Sequence, residues 1–165
     1  MTSILRKVPV LLFCLAPTFL KAQILTPVKW QIQLSETSVK IGDEIEIIFS
    51  ASIDNIWYLY ANDFDPDCGP LLTEVGFQGT SNFAPVGTLR AINSVEKHDE
   101  IFDCDVKIFK KKGEFRQRIK VLGNPVTIAG SIEGQVCSEI DFKCVSFDRN
   151  FVTASIRSCN TINRS

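Results

Sequence analysis

Cys137 and Cys144 stand on either side of Ser138-Glu139-Ile140-Asp141-Phe142-Lys143, and two thiols so spaced can do disulfide chemistry. If the flanking segments are strands joined by a hairpin, the two side chains lie opposite one another. That places them within the ~5.5–6 Å Cα separation a disulfide requires. Closing so short a loop constrains the unfolded chain by only about 2.5 kcal/mol in the chain-entropy description. An edge-exposed bridge is then a modest staple and an accessible redox switch, and at this level both roles are open. A second candidate pair is Cys68, in the turn Asp67-Cys68-Gly69-Pro70, with Cys104 on the apolar face of a strand. A structural bridge there would contribute about 3.8 kcal/mol; two buried thiols are the alternative. Trp57-Tyr58-Leu59-Tyr60 puts Tyr58 and Tyr60 on one face and Trp57 and Leu59 on the other. That is either ordinary sheet packing or a wall of rings beside a reactive group. His98-Asp99-Glu100 reads as a solvated loop. The single histidine and the cysteine spacings match no zinc framework. No Ser/His/Asp order, phosphate loop or paired-carboxylate motif stands out, so neither a metal nor another cofactor is expected.

The elements that must position these groups are strands. Val28, Trp30, Ile32 and Leu34 alternate with polar residues, as do Ile45, Ile47, Phe49, Ala51 and Ile53. Phe102, Cys104, Val106 and Ile108 form another such set, and Phe115, Ile119 and Val121 another. Residues 72–77 read as a short strand. Val126, Ile128, Ile132 and Val136 share one face of a long one, and residues 145–156 close the domain with a bulge near Asp148-Arg149-Asn150. Gly42-Asp43, Asp54-Asn55, Lys112-Gly113 and Gly123-Asn124-Pro125 supply turns. Period-two patterning without a helical stretch predicts an all-β, two-sheet antiparallel sandwich spanning residues 23–157, followed by a polar tail at 158–165.

The first residues read as a secretory signal peptide over residues 1–22. Arg6 and Lys7 precede an apolar run at residues 8–20, and Leu20-Lys21-Ala22 offers a cut before Gln23. The run is shorter than the ~18 residues a membrane-spanning helix needs. Leu12 and Phe13 do not suit Cys14 as a lipid-attachment site. No later segment reads as a span, so the mature chain is expected in the periplasm or secreted. Cleavage lowers Lys plus Arg from 18 to 15 against 19 acidic residues, a net charge of −4. With no basic stripe, nucleic acid is an improbable partner. Cys68, Cys104, Cys137, Cys144 and Cys159 remain. An oxidising compartment would pair them and leave at least one free or bonded to another chain.

Taken together, these pieces resemble the N-terminal periplasmic domain of DsbD-type thiol:disulfide interchange proteins, over residues 25–156. Trp57-Tyr58-Leu59-Tyr60 is similar to that family's aromatic-Tyr-Leu-Tyr strand, Asp99-Glu100-Ile101-Phe102 to its cap loop, and Val136-Cys137 to Cys144 to its redox pair. The resemblance implies an immunoglobulin-like fold and electron transfer to thioredoxin-fold partners through Cys137 and Cys144. Cys144 would form the mixed disulfide and Cys137 would resolve it. Tyr58, Tyr60, Asp99 and Glu100 would line the site, and Ile101 or Phe102 would cap it. Glu139, Asp141, Asp99 and Glu100 make the vicinity acidic, which opposes thiolate formation, while Lys143 is the one nearby cation expected beside Cys144. The sequence departs from the family pattern in several ways. Six residues separate the pair, Val145-Ser146 stand where prolines often follow it, and Cys68, Cys104 and Cys159 are additional. No transmembrane electron channel or C-x-x-C domain is present in the sequence, so a separate membrane protein would donate the electrons. The rival expectation is an adaptor of the same fold that keeps the pair as a staple.

Overall fold

The computed structural model describes residues 25–157. The expected signal peptide, Cys14, Cys159 and the polar tail lie outside the described residues. Ten strands follow in order: β1 (Val28–Leu34), β2 (Glu44–Ile53), β3 (Trp57–Tyr60), β4 (Glu74–Gln78), β5 (Phe83–Ala91), β6 (Val95–Asp99), β7 (Cys104–Lys110), β8 (Lys112–Val121), β9 (Ala129–Ser138) and β10 (Cys144–Val152). They form two antiparallel sheets. One runs β1-β2-β8-β5. The other runs β10-β9-β3-β7-β6, with β4 paired to the first half of β9 where β3 has ended. The chain is an all-β, immunoglobulin-like antiparallel sandwich.

The period-two sets decide what lies between the sheets. In β2 and β8, Ile45 faces Ile119 and Phe49 faces Phe115, and all four are buried. From the other sheet, Leu59, Ile132 and Val136 are wholly buried against them. Ring packing locks the layers together, with Phe49 and Phe151 centroids 5.3 Å apart and Phe109 and Phe115 5.1 Å apart, both near edge-to-face.

At Gly130 the inner layer allows no side chain. A Cβ there would stand 2.2 Å from the Gly76 carbonyl oxygen on β4 and 3.0 Å from the Phe151 ring. Gly130→Ala must push β4 away from β9, and is expected to cost about 2 kcal/mol by denaturant unfolding. A variant with an unchanged midpoint would mean that β4 yields freely.

Several expectations need correction. No strand was expected at residues 83–99, yet β5 and β6 lie there. Alternation in β5 is interrupted by a register shift between Val86 and Arg90, at Gly87 with φ 68°. His98 and Asp99 therefore sit on a strand, not in a solvated loop. The expected bulge at residues 148–150 is absent, because β10 keeps one register with β9 from Cys144↔Cys137 to Val152↔Ala129. Val126 lies before β9 and bridges to Ile156.

A second, smaller apolar cluster forms on the outer face of the larger sheet. It contains Tyr58, Tyr60, Val106, Ile108 and Cys137, with Phe64, Cys68, Phe102, Cys104 and Cys144 packed around it. Consecutive strand residues point to opposite faces, so Leu59 and Val136 enter the main core while Tyr58, Tyr60 and Cys137 enter this one.

Candidate functional site

The outer cluster is where chemistry-bearing side chains converge. Cys137 and Cys144 are paired residues of the β9–β10 hairpin, joined by a disulfide with Cα atoms 4.1 Å apart. The Ser138 N–H donates to the Lys143 carbonyl at 2.9 Å and closes the hairpin. β9 is an interior strand, flanked by β10 and β3, whereas β10 is the sheet edge, so the bridge reaches the edge only at its Cys144 end. Cys137 is 0% exposed, whereas Cys144 is half-buried. On β3, Tyr58 pairs with Cys137 on one side and with Lys110 of β7 on the other.

Asp99 ends β6 wholly buried and organises the floor. Its Oδ2 accepts from the hydroxyls of Tyr60 (2.6 Å) and Tyr58 (2.9 Å), and its Oδ1 from the Ile101 N–H (2.9 Å). The Lys97 ammonium lies 3.7 Å from Oδ2 and 4.8 Å from the centre of the Tyr58 ring. Burial pushes the Asp99 carboxyl upward. The hydrogen bonds from Tyr60, Ile101 and Tyr58, with Lys97, outweigh it and hold Asp99 below its ordinary value. Burial pushes the Tyr58 hydroxyl up to about 12. Burial raises Tyr60 as well, reinforced by its hydrogen bond to Asp99. Both phenols therefore stay protonated, and both donate to one carboxylate.

The connection between β6 and β7 covers this floor. Its four residues, Glu100, Ile101, Phe102 and Asp103, are closed at the base by the Asp103 N–H donating to the Asp99 carbonyl at 2.8 Å. Phe102 lies edge-on to Tyr60, with centroids 6.3 Å apart. Glu100 is exposed and Ile101 partly so. With Tyr58, Asp99, Glu139 and Phe142 they line a cleft of about 190 Å³. Of the expected lining and cap residues, Tyr58, Tyr60 and Phe102 share the outer cluster with Cys137 and Cys144, while Asp99, Glu100 and Ile101 border the cleft beside Tyr58.

Two details differ from expectation. Lys143 is not a free cation for Cys144, because its ammonium pairs with Asp141 at 2.8 Å. That bond lowers Asp141 to about 2 and raises Lys143. Lys97 and Lys110 also border the site, Lys110 pairing with Glu139. Cys104 joins the outer cluster and not the main core, and it is bridged to Cys68 with Cα atoms 6.0 Å apart.

Sequence reasoning missed Lys97, and it set Gln135 beside Cys137 on one face of the strand without giving it a role. Gln135 places its side-chain nitrogen 3.7 Å from the Cys137 sulfur while its oxygen accepts the Leu71 N–H at 2.9 Å. The signal for Gln135 was its parity with Cys137 on β9; Lys97 gave none while β6 was unseen. His98 points away from the cluster and bonds Asp105 at 2.9 Å, which raises its pKa.

Such a site can hold a disulfide with one sulfur buried and the other half-buried, in a cluster that Phe102 of the β6–β7 connection joins. The family model for the N-terminal region of the thiol:disulfide interchange protein DsbD matches residues 23–156. Similar solved structures include the reduced DsbD N-terminal domain of Neisseria meningitidis, at 15% identity over 78% of this chain and 86% of that one, with a TM-score of 0.49. Another is the complex between the DsbD N-terminal and PilB N-terminal domains of the same organism, at 14% identity, 84% and 96% coverage and a TM-score of 0.47. No curated protein sequence matches. The family match covers the whole sandwich and the site it carries, and the chain belongs to the DsbD N-terminal domain family of thiol:disulfide interchange proteins.

Proposed function

We propose that this chain passes electrons to thioredoxin-fold partners through Cys137 and Cys144. The observation that carries the reading is the asymmetry of the pair: one sulfur fully buried, the other half-buried at the mouth of a hairpin. In the reduced protein the Cys144 thiolate attacks a partner disulfide, forming a mixed disulfide and releasing one partner thiolate. Cys137, deprotonated, then attacks the Cys144 sulfur. The partner leaves as a dithiol and the pair is left oxidised, with two electrons transferred. A separate membrane donor returns the pair to the dithiol. Asp99, Tyr58 and Tyr60 hold the floor, and Ile101 with Phe102 shields the sulfurs until a partner displaces them. The family is one of periplasmic domains. With a signal peptide at residues 1–22 and the domain at 23–157, this chain works in the periplasm or after secretion.

The reduction potential of the pair tests the proposal. Structural bridges of secreted proteins fall below roughly −300 mV, whereas exchanging pairs are more oxidising. Titration against a dithiol buffer, read by alkylation and peptide mapping, is expected to place Cys137–Cys144 above that value. A lower potential would make the pair a staple and the chain an adaptor.

A further inference from the structure

The cap is held at both of its ends. At its start, Asp99 is fixed by Tyr58, Tyr60 and Lys97. At its finish stands Cys104, the residue paired with Asp99 across the β6–β7 hairpin and bridged to Cys68. Cys68 closes a short 3-10 turn, Pro66–Cys68, which Asp65 braces through its side chain to the Asp67 N–H (3.0 Å) and its carbonyl to the Cys68 N–H (3.1 Å). The next residue, Gly69, is the surface on which Phe102 rests. A Cβ there would stand 2.7 Å from Cδ1 of the Phe102 ring, and φ is +112°. One bridge therefore fixes the strand end from which the cap springs to the turn on which its ring is seated. Its sulfurs lie in the same outer cluster as Cys137 and Cys144.

From this arrangement we infer that Cys68 and Cys104 are positioning residues of the exchange site. Their disulfide keeps Phe102 seated on Gly69 and so sets how often the Cys137–Cys144 sulfurs are uncovered. The inference rests on the proposed exchange role of that pair. Removing the bridge frees the Cys104 end of the cap from the turn that seats Phe102, while Asp99 still holds its start. The loop then opens locally more often, without the sandwich having to unfold.

The test compares the wild type, Cys68→Ala/Cys104→Ala, Phe102→Ala and the triple variant, all oxidised and folded. A small phosphine reductant is added, and peptide mapping after alkylation follows Cys137–Cys144 alone. The double variant and Phe102→Ala are each expected to lose that disulfide roughly 5-fold faster or more, and the triple variant no faster than either, because residues acting through one element are non-additive. The acceleration should persist unchanged in urea below the unfolding transition, as a local opening does and a global loss of stability does not. A wild-type rate in the folded double variant overturns the inference, as does a triple variant in which the two effects multiply. Should the double variant not fold, partial reduction of the wild type decides. Molecules whose Cys68–Cys104 bridge is already open must lose Cys137–Cys144 faster than the rest, and equal rates overturn the inference. A thioredoxin-fold dithiol that leaves the pair oxidised in every variant, while the phosphine shows the acceleration, would sink the exchange function and leave the tether standing.

Discussion

Cys137→Ser, reduced and mixed with an oxidised periplasmic thioredoxin-fold protein, is expected to accumulate a mixed disulfide through Cys144, whereas Cys144→Ser accumulates at least ~10-fold less. Attack on a partner disulfide needs the three sulfurs in line, so the attacking thiol must meet a second protein's surface. Cys144 begins an edge strand and is half-buried, beside the exposed side chains of Ile140 and Phe142 in the hairpin loop. Cys137 lies on an interior strand, fully buried behind Tyr58 and beside Gln135. It can reach the Cys144 sulfur across the hairpin but not a docked partner. Removing Cys137 deletes the resolving step and preserves the adduct. Removing Cys144 deletes the attack itself. Non-reducing electrophoresis separates the two results. Equal trapping by both variants would refute the division of roles, and no trapping by either, with partners from the same organism, would favour an adaptor.

Asp99→Asn is expected to lower stability by about 3 kcal/mol at pH 7, moving the urea midpoint down by about 2 M. The carboxylate accepts from two buried phenols and one backbone N–H, and it answers Lys97. An amide oxygen accepts more weakly, and the amide N–H groups bring donors to a place already filled with donors. The same carboxylate gives a pH signature. Its folded-state value is below the ordinary ~3.9, so its contribution is complete above that pH and is lost as pH falls through the lowered value. Wild-type stability should therefore drop below about pH 4 more steeply than that of Asp99→Asn, and the gap between them should narrow at pH 3. A gap that stays constant from pH 7 to pH 3 would mean that Asp99 is not the group responsible.

Much of the site follows from local geometry and is legible in the sequence. Alternation along Trp57-Tyr58-Leu59-Tyr60 fixes that the two tyrosines share a face, because successive strand side chains point opposite ways whatever surrounds them. The turn between residues 138 and 143 puts Cys137 across from Cys144, since a short hairpin sets its own register. The all-β sandwich comes from the same period, repeated along the chain. Where the period lapses, local reasoning fails. The β5 strand changes register at Gly87, and β6 presents Glu96, Lys97 and His98 at the edge of its sheet, so neither reads as a strand. On β10 the polar run Asp148-Arg149-Asn150 imitates a bulge, but an edge strand can expose such residues in unbroken register.

Alternation also says that a strand has two faces and not which neighbour covers each. The set Cys104, Val106 and Ile108 could equally have entered the main core. It lines the outer cluster because Phe109, from the opposite face of β7, fills the space between the sheets. The depth of Cys137 was decided by sheet order, which sets β3 and β10 on either side of β9. The depth of Asp99 was decided by the two phenols of β3, some forty positions away, whose hydroxyls make a buried charge tolerable. The sequence by itself determined the strands whose alternation is unbroken, the hairpin pair and the shared face of the tyrosines, all set by contacts between near neighbours. Which sulfur is reachable, which carboxylate is buried and what holds the cap were decided only by tertiary structure, because burial depends on strands distant in the chain.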